Sequence, residues 1–139
     1  MKKPIRMTKL EDNQLWRMAS EIMLYAYDQL PEFTEDEEYG MEPKLRDRSF
    51  DLTCDLAEAA GSLDPRDKTY YYGLAMRDVY GIRNTLIMAS KTQTLNVEPS
   101  VFLKLERLAD GIADEVSGAS DDIPEYLKHF SVQEHKHES

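Results

Sequence analysis

Leu45-Arg46-Asp47-Arg48-Ser49-Phe50-Asp51-Leu52-Thr53-Cys54-Asp55-Leu56-Ala57-Glu58-Ala59-Ala60-Gly61-Ser62-Leu63-Asp64-Pro65 is the stretch that decides the fold of this chain. Leu45, Ser49, Leu52, Leu56, Ala59 and Leu63 recur at alternating spacings of four and three. That is a seam with a period of about 3.5 residues, the spacing at which helices pack side by side. Gly61 ends this leg. Asp64 then reads as an N-cap, Pro65 as the first helical residue, and Asp67 as an acid near the positive end of the helix dipole. A return leg follows with Tyr71, Ala75, Asp78, Ile82, Leu86 and Ala89 at related spacings. The span from Tyr39 to Gln93 is therefore an αα-hairpin whose open seam the rest of the chain must cover.

The flanks supply the cover. Asp12 or Asn13 can cap a helix whose buried stripe is Leu15, Met18, Ala19, Ile22, Ala26 and Leu30, and Pro31 stops it. Glu32 to Glu38 is a run of like charge, which reads as a solvated linker pinned by Phe33. Pro99 opens a last helix with Val101, Leu105, Leu108, Ile112 and Val116 inward, and with Phe102, Ala109 and Ala113 beside them. The expected fold is all-α, an up-down-up-down antiparallel four-helix bundle over residues 12–119. Its helices fall near 12–30, 42–61, 65–94 and 98–118. Residues 1–11 read as a flexible basic arm and 120–139 as a mostly disordered acidic tail. Gly73 and Gly81 lie inside the third helix, where glycine is unfavourable, so close approach of a neighbouring backbone is the expected reason for them.

A chain of 139 residues is one domain by length and long enough to bury a core. With 41% apolar and 32% charged residues, it suits helices with a solvated outer face better than a sheet sandwich. Its single cysteine, Cys54, excludes an internal disulfide and reads as a small, partly buried structural thiol. No apolar run approaches the ~20 residues of a membrane span. No apolar segment follows the basic Met1 to Arg6 either, so a cytoplasmic location is expected. The net charge of −10 argues against simple non-specific binding of nucleic acid. The acidity is uneven, however. From Glu42 to Asp110 acids and bases nearly balance, which leaves room for a local basic patch.

No catalytic constellation emerges. His129, His135 and His137 all lie in the tail, away from any fixed ligand set, so no metal site and no cofactor is expected. Without a histidine in the body, serine or cysteine nucleophiles lack their usual base, and no glycine-rich phosphate loop occurs. Tyr70, Tyr71, Tyr72 and Tyr80 stand near Arg66 and Lys68. They fit either base stacking beside cations or rings placed in the core or a subunit interface, the reading we prefer. Arg46, Arg48, Arg77, Arg83 and Arg107 are the charges of most interest, because Arg binds phosphates and carboxylates in bidentate fashion and, in a ring of bundles, could line a channel or knit interfaces. Arg48 is also placed to pair with Asp51 or Asp55 along its own helix.

One co-linear set carries a family resemblance. It comprises Tyr39-Gly40, Lys44-Leu45-Arg46-Asp47-Arg48, Asp51-Leu52, Asp64-Pro65-Arg66-Asp67-Lys68, Ile82-Arg83, Met88-Ala89, Leu95-Asn96-Val97-Glu98 and Leu108-Ala109-Asp110-Gly111-Ile112. In order and spacing, over roughly residues 12–118, it resembles the accessory variability determinant proteins of diversity-generating retroelements. The broader relatives are four-helix-bundle proteins encoded by intervening sequences of large ribosomal RNA genes. The resemblance implies a four-helix bundle that assembles as a barrel-like homopentamer. It also implies a non-enzymatic scaffold that binds the element's reverse transcriptase and its template RNA or cDNA during mutagenic retrohoming, with Arg46, Arg48, Arg66, Arg77 and Arg83 as the candidate contacts for nucleic acid or a partner. The alternative is a homo-oligomeric protein-interaction module of the intervening-sequence type, without nucleic acid.

Overall fold

The computed structural model describes residues 8–34 and 40–121. Every regular element among them is helical. A single turn, α1 (Thr8–Glu11), precedes four long helices: α2 (Gln14–Gln29), α3 (Met41–Gly61), α4 (Pro65–Lys91) and α5 (Pro99–Asp121). A 3-10 turn at Leu30–Glu32 follows α2, where Pro31 removes a helical donor. No described helix is long and apolar enough to cross a membrane. The last helix runs past its expected end at 118 to Asp121, and the rest of the expected tail with its three histidines, the basic residues before Thr8 and the acidic run from Glu35 lie outside the described residues.

Several helix boundaries have a visible local cause. Asn13 Oδ1 accepts from the Trp16 amide at 3.0 Å and starts α2. Asp64 Oδ1 accepts from the Arg66 amide at 2.9 Å and starts α4. The Arg66 guanidinium, together with that backbone hydrogen bond, holds the Asp64 carboxyl below its usual range. At the other end, α4 stops at Lys91 rather than near Thr94. Gln93 turns left-handed at φ 60°, the Gln93 amide donates to Ser90 O at 3.1 Å, and the Thr94 amide donates to Ala89 O at 2.9 Å. This pair of bonds is a Schellman closure, met here without the usual glycine.

The helices form a closed circuit of packing: α2 on α3, α3 on α4, α4 on α5, and α5 back on α2. The α3–α4 pairing is the most extensive, as the seam requires. Leu45, Ser49, Leu52, Leu56 and Ala59 are buried against Ala75, Asp78, Ile82, Leu86 and Ala89 in one core with Ile22, Leu105, Leu108 and Ile112. Phe33 is buried as the expected anchor of the loop after α2. Leu63 breaks the expectation: it is 98% exposed. The helix has ended at Gly61 and Ser62 is extended, so the period that would have carried Leu63 inward no longer applies. Ala113 is exposed for a simpler reason, since it falls outside the Leu105, Leu108 and Ile112 face.

The glycines also depart from expectation. Gly73 has open space around it, and among the described residues no other backbone comes within 4 Å of a Cβ placed there. Beside Gly81 lies a side chain: Arg48 Nε would stand 3.3 Å from a Cβ placed there. The tightest glycine is Gly111 on α5, where a Cβ would sit 2.5 Å from Leu15 Cδ2 of α2. Two further links tie α2 to the α4–α5 connection and to α5. The Glu98 amide donates to Tyr25 Oη at 3.2 Å, and Lys104 Nζ stands 3.7 Å from Glu21 Oε2.

Candidate interaction surface

The five candidate arginines do not converge on one patch. Arg46 stays on its own helix, with Nη1 donating to Glu42 Oε1 at 3.0 Å and Nε 3.5 Å from Asp47 Oδ1. Arg66 folds onto the cap it follows, with Nη2 3.0 Å from Asp64 Oδ2. Arg77 is exposed and makes no ion pair among the described residues. Arg83 turns toward α5, with its guanidinium carbon 5.8 Å from the centre of the Phe102 ring, a cation–π contact. It shares a cleft of about 290 Å³ with Val79, Tyr80, Leu105, Glu106, Ala109 and Asp110.

Arg48 behaves differently from all of these. It does not pair along its own helix with Asp51 or Asp55. Its stem crosses Gly81, and Nη1 donates to Asp78 Oδ1 of α4 at 3.0 Å. Half of the Arg48 side chain remains in solvent, whereas Asp78 is 3% exposed. Sequence reasoning placed Asp78 correctly in the buried seam but did not name it as a charged group in need of a partner. The available signal was an aspartate among Ala75, Ile82 and Leu86, since buried acids require hydrogen-bonded partners.

The tyrosines divide in two. Tyr72 is buried, and that burial, with the Glu115 carboxylate, raises its phenol above the ordinary value. Tyr71 packs at the edge of the core and meets Tyr70 edge-to-face, centres 5.2 Å apart. Tyr70 and Tyr80 are exposed, with Tyr80 three residues from Arg77 and from Arg83 on α4. Phe50 and Cys54 share the outer side of α3, both exposed, so Cys54 is not the partly buried thiol that its place beside the seam implied. One position off the 3.5-residue stripe is enough to bring it into solvent.

A second cleft, of about 370 Å³, lies where the start of α2 meets the end of α5, lined by Asn13, Leu15, Lys68, Tyr72, Asp114 and Glu115 among others. Lys68 Nζ is engaged there, donating to Ala59 O at 2.9 Å and closing the C-terminal end of α3. Among the described residues no group of three or more His, Cys, Asp or Glu is placed to hold a metal ion. What the surface offers is exposed Arg and Tyr on α4 and mixed charge on α3. Those residue types are enriched at binding interfaces. Comparison with known proteins adds no relative: no family model matches the chain, and neither a curated protein nor a solved structure is significantly similar to it.

Proposed function

We propose that this chain is a non-enzymatic accessory protein of a diversity-generating retroelement. In this reading it is a homo-oligomeric scaffold, a pentamer by resemblance, that contacts the reverse transcriptase and its template RNA or cDNA. The supporting observation is the match between the resemblance and the all-helical architecture, in which four long helices occupy the expected segments. The helices would run up-down-up-down and antiparallel. The Leu15–Gly111 and Tyr25–Glu98 proximities fit that course. Arg46, Arg77 and Arg83, with Tyr70 and Tyr80, are the contact residues of choice. Arg48 takes part with the donors that Asp78 leaves open, and Arg66 stands with them at the start of α4.

A second reading is favoured by one observation, the net charge of −10. It keeps the oligomer but replaces nucleic acid by protein as the sole partner, as for the intervening-sequence type. RNA binding measured against salt separates the two. At ~50 mM salt, where phosphate contacts are strongest, the first reading expects binding. Reversing Arg46, Arg77 and Arg83 together to Glu should then reduce the salt slope by about three. Arg48 is kept in that variant, because a glutamate there would face Asp78. An absence of RNA binding by the unaltered chain at low salt sinks the nucleic-acid part and leaves the second reading. Both readings need an oligomer, so a light-scattering mass near the 16.1 kDa of one chain would sink the ring.

A further inference from the structure

Asp78 is a buried acid with one oxygen accounted for and one not. Oδ1 accepts from Arg48 Nη1 at 3.0 Å. Oδ2 is buried and receives no hydrogen bond among the described residues. Two groups of α3 act on this carboxyl: the Asp55 carboxyl, which favours its protonated form, and the Arg48 guanidinium, which favours its charged form. Arg48 and Asp55 are seven residues apart, two helical turns, and so present to α4 from the same side of α3. Asp78 thus sits opposite a cation and a second acid.

Such an arrangement is unfavourable when both acids are ionised. One guanidinium faces two carboxylates, one of them buried, and the orphan oxygen meets no donor. A single proton resolves each of these at once. It turns the Asp78 oxygen left free by Arg48 into a donor toward Asp55, and it leaves one negative charge against one positive. No other described charge acts on Asp78. On the α5 side, Glu106 and Asp110 lie in the cleft with Val79, Tyr80 and Arg83, and α2 packs on α3 and α5.

We propose that Asp55, Asp78 and Arg48 form a proton-held clamp between α3 and α4, in which one proton shared by the two carboxyls keeps the trio neutral and its loss in alkaline solution loosens the helical hairpin.

The sign follows from the environment of Asp78. Burial first, then the neighbouring Asp55 carboxyl, raise its acid to about 8 against the opposing pull of Arg48. An unfolded aspartate ionises near ~3.9. Between these values the folded chain holds a proton that the unfolded chain has released. The contribution to stability is therefore full in acid, declines as pH rises, and is lost above the folded value.

Carbon-13 NMR of labelled aspartate side chains, with thermal unfolding followed over the same range, tests the clamp. In the unaltered protein one aspartate carboxyl should titrate with a midpoint near 8. That resonance should vanish in Asp78→Asn and move to lower pH in Asp55→Asn. The Tm of the unaltered protein should fall from about pH 6 to about pH 9. The Asp78→Asn curve should be flatter over that range, because an amide can accept from Arg48 and donate to Asp55 at any pH. The proposal is overturned if every aspartate of the unaltered protein titrates below about pH 6, a result that needs no variant to fold. It is equally overturned if the two melting curves run parallel.

Discussion

Replacing Leu52 with alanine should lower the unfolding free energy by about 2–5 kcal/mol. Leu52 has no solvent exposure and stands mid-way along α3, in the core shared with Ile82 and Leu86 of α4. Truncation removes apolar burial and leaves a void that close-packed neighbours fill only in part. A domain of this size has a total stability of roughly 5–15 kcal/mol, so the loss is a large fraction of the whole. Urea denaturation should show a lower midpoint with an unchanged slope. Leu63→Ala is the internal comparison. It removes the same atoms from a side chain already in water, and its effect should stay within about 0.5 kcal/mol. Equal losses at the two sites would mean that the seam does not end at Gly61.

The second large effect should come from Gly111→Leu, with a loss of about 1–3 kcal/mol. Leucine there needs room that Leu15 Cδ2 already occupies, 2.5 Å from the first atom of any side chain. Because α2 and α5 meet at this point, the cost falls on closure of the circuit of helices. Coupling with Leu15→Ala checks the cause: the truncation should return part of the loss, and additive effects would assign it elsewhere. Gly73→Ala should do the opposite. Among the described residues nothing beyond its own helix backbone lies within 4 Å of a Cβ there, so alanine is free to add up to about 1 kcal/mol of helix propensity.

These two glycines show what was legible in the sequence and what was not. Composition marks each as a weak point in a helix. Only the location of Leu15, far away in the chain, shows that one is needed and the other is not. The seam was legible because its cause is local. Leu45, Ser49, Leu52, Leu56 and Ala59 are buried by a periodicity that any window reveals, and the caps at Asn13 and Asp64 act within three residues. Leu63 was misread because a period says nothing once the backbone leaves the helix. The pairing of Arg48 was misread for the converse reason. Spacing along α3 offers Asp51 and Asp55, while the acid that accepts its hydrogen bond is 30 residues on, across the hairpin. The scatter of the arginines was hidden in the same way. Arg46 and Arg66 are held by neighbours in sequence, and Arg83 by a ring on another helix.

Cys54 gives this molecule a built-in footprinting reagent. It is the sole sulfhydryl of the chain and stands in solvent on the same side of α3 as Phe50. The desolvation that its helix neighbours impose, and then the carboxylates of Asp51, Asp55 and Glu58, hold its thiol above the ordinary value. Little thiolate is then present at neutral pH. Alkylation should accordingly be slow rather than blocked, and therefore easy to time. Anything that seats itself over α3, whether another copy of the chain or a foreign partner, will lengthen that time. The interval itself will report which flank of the protein its companions use.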